Sequence, residues 1–432
     1  MKLLVVTHEY APALNPRAFR WTSVAEALAA RGHQVDVLSA ALPGQPRQEE
    51  RNGVSVHRVG GGVTEALRRR LARAPAPAAP GGAAAAPPRA GAGLAKRVHD
   101  RTWKQVYWPD YACLWYPAAV RRARALLAAG GYDRLVTVSH PFTGHWVGAA
   151  LKNENPALPW LVDVGDPFAF IEGTPVNNVR LHGARNYRAE RRVLRGASVV
   201  SVTTGPTRTR YAAAFPESAG KLVVVPPLLS PEAARPGNGR FLPDGAGRVR
   251  MVFVGTLYRD LRSPEPLLRL FQALLRTEAG AGLELHFVGM LNGCEEVLAP
   301  YAPLLGDRIF VHGAVPRERA LRAMHDADVL VNLGNASGYQ LPSKVVEYAA
   351  TGRPVLNLAG AASDVSVDFF STHPAVLQLP YDDDGGPDTV RRVAGFLAGA
   401  RPVDAGTVAR SLAPFGVDAI TDTYERLLRC AS

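Results

Sequence analysis

Gln340-Leu341-Pro342-Ser343-Lys344-Val345-Val346-Glu347-Tyr348-Ala349-Ala350-Thr351-Gly352-Arg353-Pro354 is the stretch on which the reading of this chain turns. The run before it, Ala327-Asp328-Val329-Leu330-Val331-Asn332-Leu333, predicts a strand buried on both faces, as in a parallel sheet. Pro342 ends the incoming loop and Ser343 is a good helix N-cap. Gly352 suits the position just past a helix, and Pro354 prevents continuation. The expected order is strand, loop, short helix, with the helix N-terminus at the carboxyl end of the strand. Open α/β sheets bind ligands there. Free backbone N–H groups and the helix dipole favour an anion at that point. Lys344 falls in the first turn, where a cation opposes the dipole: poor helix design, good phosphate-site design. Glu347, three residues on, shares its face and offers a carboxylate to two vicinal ribose hydroxyls. The plainer alternative is an amphipathic helix with a surface Lys–Glu pair worth at most ~0.5 kcal/mol.

Pro342-Ser343-Lys344, Glu347-Tyr348, Ala350, Gly352 and Pro354-Val355 together resemble the donor-binding segment of GT-B glycosyltransferases of the large retaining family 4. The resemblance implies an α/β chain of two Rossmann-like, doubly wound domains facing each other across a cleft. It implies that Glu347 holds the nucleotide ribose and Lys344 the diphosphate. It extends along most of the chain and is most specific from Gly255 to Val355.

At ~150 residues per domain, 432 residues make two or three domains. Nearly half are apolar, enough for sizeable cores, and no apolar run approaches the ~20 residues of a membrane-spanning helix. Met1 to His8 is apolar for too short a stretch to be a signal peptide and reads as a first strand. Cys113, Cys294 and Cys430 are widely spaced, without metal or redox spacing, which suits a reduced cytoplasm. The formal charge of +12 points to anionic partners: a nucleotide sugar, or the anionic inner face of a membrane contacted peripherally, rather than nucleic acid.

In chain order, strand Lys2–Thr7 leads to a loop, then to a helix with Asn15 as N-cap and Pro16 at its first position. Its inward residues are expected to be Phe19, Val24, Ala27 and Leu28. In the resembling family this loop is glycine-rich and abuts the diphosphate; here Asn15-Pro16-Arg17 stands there, so Asn15 and Arg17 are candidates on the acceptor side, with Arg20 a further possibility on either a site or a solvated face. Gln34–Ser39 and Val54–Val59 are strands. Ala74 to Gly93, rich in Ala, Pro and Gly, cannot bury a core and reads as a mobile insertion. Trp103 to Trp115 gathers five aromatics around Pro109-Asp110, read as core in preference to an acceptor site. Strand Arg134–Ser139 ends at His140, a position that in the family lies near the transferred sugar. Strand Trp160–Asp163 runs into Asp163-Val164-Gly165-Asp166-Pro167; Asp166 is either an acceptor contact or an Asx-turn residue. An Arg-rich helix, strand Ser198–Thr203, a helix near Pro206–Ala214 and strand Leu222–Pro226 complete a first domain, 1–235. A linker, 236–249, follows.

The second domain, 250–404, opens with strand Arg250–Leu257. The family has a Gly-Arg there; here Gly255 is followed by Thr256, so one diphosphate cation is lost, and Arg262 with Lys344 is the expected pair. Val315, in the turn Gly313-Ala314-Val315-Pro316, is the base-contact candidate the resemblance implies. The family's second carboxylate, eight residues before Glu347, is replaced by Tyr339; Asn335 and the backbone of Gly338, Tyr339 and Gln340 are left to hold the sugar. A helix over 405–432 is expected to cross back to the first domain. Asp326-Ala327-Asp328 and Asp382-Asp383-Asp384 read as cap and turn residues, not metal ligands. The expected function is transfer of a sugar from a nucleotide diphosphate sugar to a hydroxyl acceptor, a lipid-linked glycan or a small molecule, in bacterial cell-envelope or glycoconjugate biosynthesis. Retention, no metal and no cofactor are implied. His140, Arg262 and Lys344 are the catalytic candidates. A nucleotide-sugar epimerase or a catalytically silent partner subunit on the same fold are the alternatives.

Overall fold

The computed structural model describes residues 1–13, 15–61, 103–171, 175–235, 237–243, 247–259, 261–334, 338–341, 343–360, 364–371, 373–383, 385–399 and 401–430. The expected insertion Ala74–Gly93, and Asn335, Pro342 and Asp384, lie outside them. The chain divides into two compact units. One holds Met1–Thr203, Arg208–Val225 and Ile420–Ser432; the other holds Thr204–Thr207 and Pro226–Ala419.

The first unit is built on a sheet in the order β3-β4-β2-β1-β5-β6-β7-β8. Its strands are β1 (Lys2–Val6), β2 (Gln34–Ala40), β3 (Gln48–Arg51), β4 (Val54–Val59), β5 (Arg134–Val138), β6 (Trp160–Asp163), β7 (Val199–Val202) and β8 (Leu222–Val224). All pairings are parallel except β3 on β4. Leu3 to Val6 are fully buried, as a central parallel strand covered on both faces requires, and each such side chain contributes ~1.5–3 kcal/mol. Edge strand β3, Gln-Glu-Glu-Arg, carries no apolar pattern, so hydrophobic periodicity does not reveal it.

Helices of this unit are α1 (Pro16–Ala30), α2 (Trp103–Val106), α3 (Tyr116–Ala129), α4 (Thr143–Glu154), α5 (Val179–Gly196) and, from Arg208 onward, α6 (Gly205–Ala214), whose first residues count with the second unit. The buried face of α1 is Ala18, Trp21, Val24, Ala25 and Leu28, with Arg20. Phe19 and Ala27, expected inward, are only half-buried. Tyr107 and Trp115 are buried, in line with the core reading of the aromatic run.

The second unit has the sheet order β11-β10-β9-β12-β13-β14, all parallel. Its strands are β9 (Val249–Val254), β10 (Leu283–Val288), β11 (Ile309–Gly313), β12 (Val329–Leu333), β13 (Val355–Ala359) and β14 (Val376–Pro380). Its helices are α7 (Glu265–Leu274), α8 (Glu295–Leu298), α9 (Arg317–Asp326), α10 (Ser343–Ala350), α11 (Val365–Phe370), α12 (Pro387–Gly399) and α13 (Ala405–Leu412); α14 (Val417–Cys430) follows. Two expectations need correction. The boundary falls at Val225, not near Arg235, because Ala233 and Leu242 pack into the core around Val252, Leu321 and Met324. The residues expected as linker are thereby part of this unit; Phe241 and Leu242 donate their backbone N–H groups to Asp326. The final helix is also not continuous. Ala413–Phe415 forms a short 3-10 turn and Gly416 is extended, so α13 stays with the second unit and only Ile420 onward joins the first. Pro414 and Gly416 are the residues that break it.

Candidate functional site

In the second unit the carboxyl edge of the sheet is bare of side chains at strand after strand. Gly255, Gly289, Gly313, Gly334 and Gly360 stand at the ends of β9, β10, β11, β12 and β13. The approach is closest between Gly289 and Gly255: a Cβ on Gly289 would lie 1.9 Å from the Gly255 carbonyl oxygen, at φ +140°. Such an edge lets a ligand meet backbone directly.

Helix α10 begins beyond β12 on this edge. Tyr348, fully buried, accepts from the Val254 N–H at 2.7 Å and donates to the Val254 carbonyl at 3.1 Å. That pins α10 to the end of β9, beside Gly255 and Thr256. One turn earlier, Lys344 Nζ lies 2.6 Å from Glu347 Oε2, and Arg317 reaches Glu347 Oε1 at 2.8 Å. The Glu347 side chain is 10 % exposed, so this pair is not the surface pair of the plainer alternative. Arg317 is absent from the sequence reading. It opens α9 two residues after Val315, and the available signal was its place directly behind that turn. Val315 itself packs half-buried against the α9–α10 core.

Arg262 is bridged to Tyr258 by backbone hydrogen bonds. Its guanidinium stands 3.7 Å from where a Cβ on Gly255 would lie. Burial lowers its proton affinity, and the neighbouring Tyr348, Tyr258 and Asp364 oppose that; an arginine keeps its charge regardless. Gly255, Arg262 and α10 are therefore brought together. Tyr339 is buried, and its carbonyl accepts from Thr204 at 2.8 Å and Thr207 at 3.0 Å. The Gly338 carbonyl accepts from Val365 at 3.0 Å, and Gln340 is half-buried beside them. Of the acidic clusters, Asp326 caps backbone N–H groups, Asp328 holds Arg250, and Asp383 accepts from Gly385 and Thr389.

In the first unit, β5 and β6 end side by side, Val138 opposite Asp163. His140 follows, its Nδ1 3.5 Å from Asp166 Oδ2. Both ring nitrogens are buried without a hydrogen bond to a described residue. Asp110, fully buried, accepts from Ala112 N at 2.9 Å, Thr143 N at 2.9 Å and Thr143 Oγ1 at 2.7 Å. Burial raises its pKa against those bonds and the nearby His140. Asp110 thus caps α4 and faces His140, a second carboxylate that sequence reading passed over inside an aromatic run.

Arg17 reaches Asp163 at 3.2 Å and the Val164 carbonyl at 3.3 Å, lying across Gly165, where a Cβ would come within 2.5 Å of it. It joins the His140–Asp166 neighbourhood. Asn15 does not fit its expected role as an acceptor contact. Its oxygen accepts from Arg17 N and Ala18 N, and its amide donates to Glu9, so both ends serve the helix cap and loop. Arg20 faces neither a site nor solvent: it is buried on Tyr424 and the Val225 carbonyl. Asp163 is equally internal. It accepts from Trp21, Ser201 and Tyr424 at 2.7 Å each. Burial pulls its pKa up, and Arg17, Arg20, Ser201 and Trp21 more than reverse that.

A family described as Glycosyl transferase 4-like domain matches residues 18–227, and one described as Glycosyl transferases group 1 matches residues 248–368. No curated protein matches the chain. Among solved structures it is similar to an α,α-trehalose-phosphate synthase (UDP-forming) from Burkholderia vietnamiensis, at TM-score 0.60 and 14% identity over 99% of this chain and 96% of that one. It is similar to the Anabaena protein HepE solved in complex with UDP, at TM-score 0.57 and 14% identity over 99% and 100%. It is also similar to the lipopolysaccharide outer core galactosyltransferase WaaB, at TM-score 0.59 and 11% identity over 99% of both chains. These matches do not favour the epimerase or silent-subunit alternatives. With two family matches covering most of both units, and a matching two-sheet fold, the chain belongs to the group 1 glycosyltransferases, nucleotide-sugar-dependent enzymes of the GT-B fold.

Proposed function

We propose that this glycosyltransferase moves a sugar from a nucleoside diphosphate sugar to a hydroxyl acceptor, with retention of configuration and without a metal ion. The observation that carries this is the Arg317–Glu347–Lys344 cluster, where the start of α9 meets the N-terminal half of α10, on the glycine-ended edge of the second unit. In this reading Lys344 turns its ammonium from Glu347 to the diphosphate, alongside Arg262 and the helix N–H groups. Glu347 stays fixed by Arg317 and accepts from the ribose hydroxyls. Val315 and its turn meet the base, and Gly338 to Gln340 meet the sugar. When the glycosidic bond breaks, the leaving diphosphate gains charge, and a preplaced donor aimed at it lowers the barrier by ~3–4 kcal/mol. Two protein cations in that position support the metal-free reading. The Asp-x-Asp residues are already committed to backbone and Arg250. In the first unit, His140, Asp166 and Arg17 serve the sugar and acceptor side. The likeness to WaaB, a lipopolysaccharide outer core galactosyltransferase, supports a cell-envelope role; the same reading takes a lipid-linked glycan as acceptor and a bacterial cytoplasm as compartment.

The test is a melting-temperature screen of nucleoside diphosphates and their sugars, followed by turnover with and without EDTA and assignment of the product anomer by NMR. A ligand at 100 Kd adds ~2.7 kcal/mol. The reading expects one nucleotide to raise the melting temperature, turnover unaffected by EDTA, and an unchanged anomer. A screen without any shift would overturn it.

A further inference from the structure

Helix α5 carries a stripe that the transferase reading does not use. Leu181, Arg185, Arg188 and Arg192 stand at i, i+4, i+7 and i+11, so they share one face. All four are exposed, Leu181 at 63 %. The Arg185 guanidinium lies 3.7 Å above the Trp108 ring, and that of Arg192 lies 5.6 Å from the Trp146 ring. The two indoles meet edge to face at 5.1 Å, and Trp108 Nε1 donates to Asn186 on α5 at 3.0 Å. Val106, just before this pair, is 61 % exposed. Val106 and Leu181 are the two most exposed large apolar residues among those described.

Among the described residues, the charge on this face is uncompensated: Arg185, Arg188 and Arg192 form no ion pair with a carboxylate. Arg191 and Arg195, by contrast, share Glu217. Stacking on indoles holds two of the three guanidinium planes in place, which favours forked hydrogen bonds to phosphate oxygens. Arginines alone would suit any polyanion. Exposed Leu and Val beside half-buried indoles suit the boundary between headgroups and acyl chains. We propose that this stripe docks the protein on an anionic lipid bilayer, with the arginines on headgroup phosphates and Val106 and Leu181 in the acyl boundary. Binding is independent of donor and acceptor, so it is read without turnover.

The experiment is co-sedimentation of the full chain with vesicles of equal parts phosphatidylglycerol and phosphatidylcholine, against phosphatidylcholine alone. Wild type is expected to bind only the anionic vesicles. Arg188→Gln with Arg192→Gln should weaken binding roughly 30-fold, the sum expected for two basic residues at a bilayer surface. Arg191→Gln with Arg195→Gln removes the same formal charge and should weaken it far less. Val106→Ser with Leu181→Ser should weaken vesicle binding while leaving retention on heparin unchanged. Arg188→Glu, whose guanidinium stacks on no ring, repeats the arginine test, with melting temperature confirming the fold. Absence of binding by wild type, equal loss from both arginine pairs, or no effect of the apolar pair would each overturn the proposal; the last would make the stripe a site for soluble polyanions.

Discussion

Lys344, Glu347 and Arg317 touch one another, yet they are expected to fail differently when removed. Lys344→Ala takes a charge from beside a group that is most negative at bond breaking, so kcat should fall ~10²–10³-fold with nucleotide affinity changed less. Glu347→Ala removes bonds to a ribose unchanged in the reaction, so donor KM should rise more than kcat falls. Arg317→Ala leaves a nearly buried carboxylate with one cation instead of two, and should resemble Glu347→Ala in KM while also costing stability. Steady-state kinetics and nucleotide titration of the three variants separate these outcomes; wild-type behaviour of Lys344→Ala would reduce α10 to a packing helix. His140→Ala belongs to the other unit and should lower kcat with nucleotide binding nearly intact, as titration of the variant checks. Lys344 and Glu347 were legible because three residues on a helix fix a shared face. Arg317 and Asp110 were not: each meets its partner through the fold, Glu347 thirty residues on and Thr143 thirty-three residues on, and no local spacing encodes that.

Elements were legible where one physical signal dominates. Apolar runs gave the central strands of both sheets, and Asn15-Pro16 gave the start of α1, with the cap bonds in place. The polar edge strand β3 lacks that signal. The break between α13 and α14 was written as Pro414 and Gly416, but an amphipathic run on both sides masked it. The glycines ending the strands carry a sharper test. Gly289→Ala puts a Cβ 1.9 Å from a backbone oxygen at φ +140°, and neither atom is the end of a flexible side chain. A loss of at least ~2 kcal/mol is expected, of the kind seen for overpacking and backbone strain. Gly313→Ala, at φ +66° with nothing within 4 Å, should cost only the left-handed penalty of ~1–2 kcal/mol. Urea unfolding of the two variants measures the difference, and equal losses would contradict the close approach.

At the scale of the molecule, acid should act through buried and half-buried histidines. Burial holds His145 at about 3 and, with His286 and Arg319 nearby, His312 at about 4; burial also lowers His286 against the pull of Glu284. Unfolded, each titrates near 6.5. A histidine whose folded pKa is depressed binds fewer protons when folded, so its contribution is complete above pH ~6.5 and is lost as pH falls toward the folded value. Asp110 and Glu190, raised by burial, work in the opposite sense as they take up protons. Stabilities from urea unfolding at pH 7.5 and pH 5.5 should therefore differ, by about 1 kcal/mol for fully buried His145 and by less for half-buried His312. In His312→Asn the pH-dependent loss should shrink; an unchanged loss would place the acid sensitivity elsewhere. The division into two α/β units was legible from length and from the second series of strands. Its exact boundary was not, because Ala233 and Leu242 belong to a core whose other members come later in the chain.

The return of α14 to the first unit has a consequence in time. Asp163 and Arg20 are buried in that unit, and both lean on the hydroxyl of Tyr424. A chain is made from its N-terminus, so every strand of the first sheet leaves the ribosome before Tyr424 exists. During that interval the buried pair lacks one of its partners, and the unit that begins folding first is the one that finishes last. The second unit, complete by Ala419, has no such wait. Release of the last helix is thus the event that closes the first unit, and nascent chains stalled short of Tyr424 would present an opened α1–α14 face to the quality-control machinery of the cell.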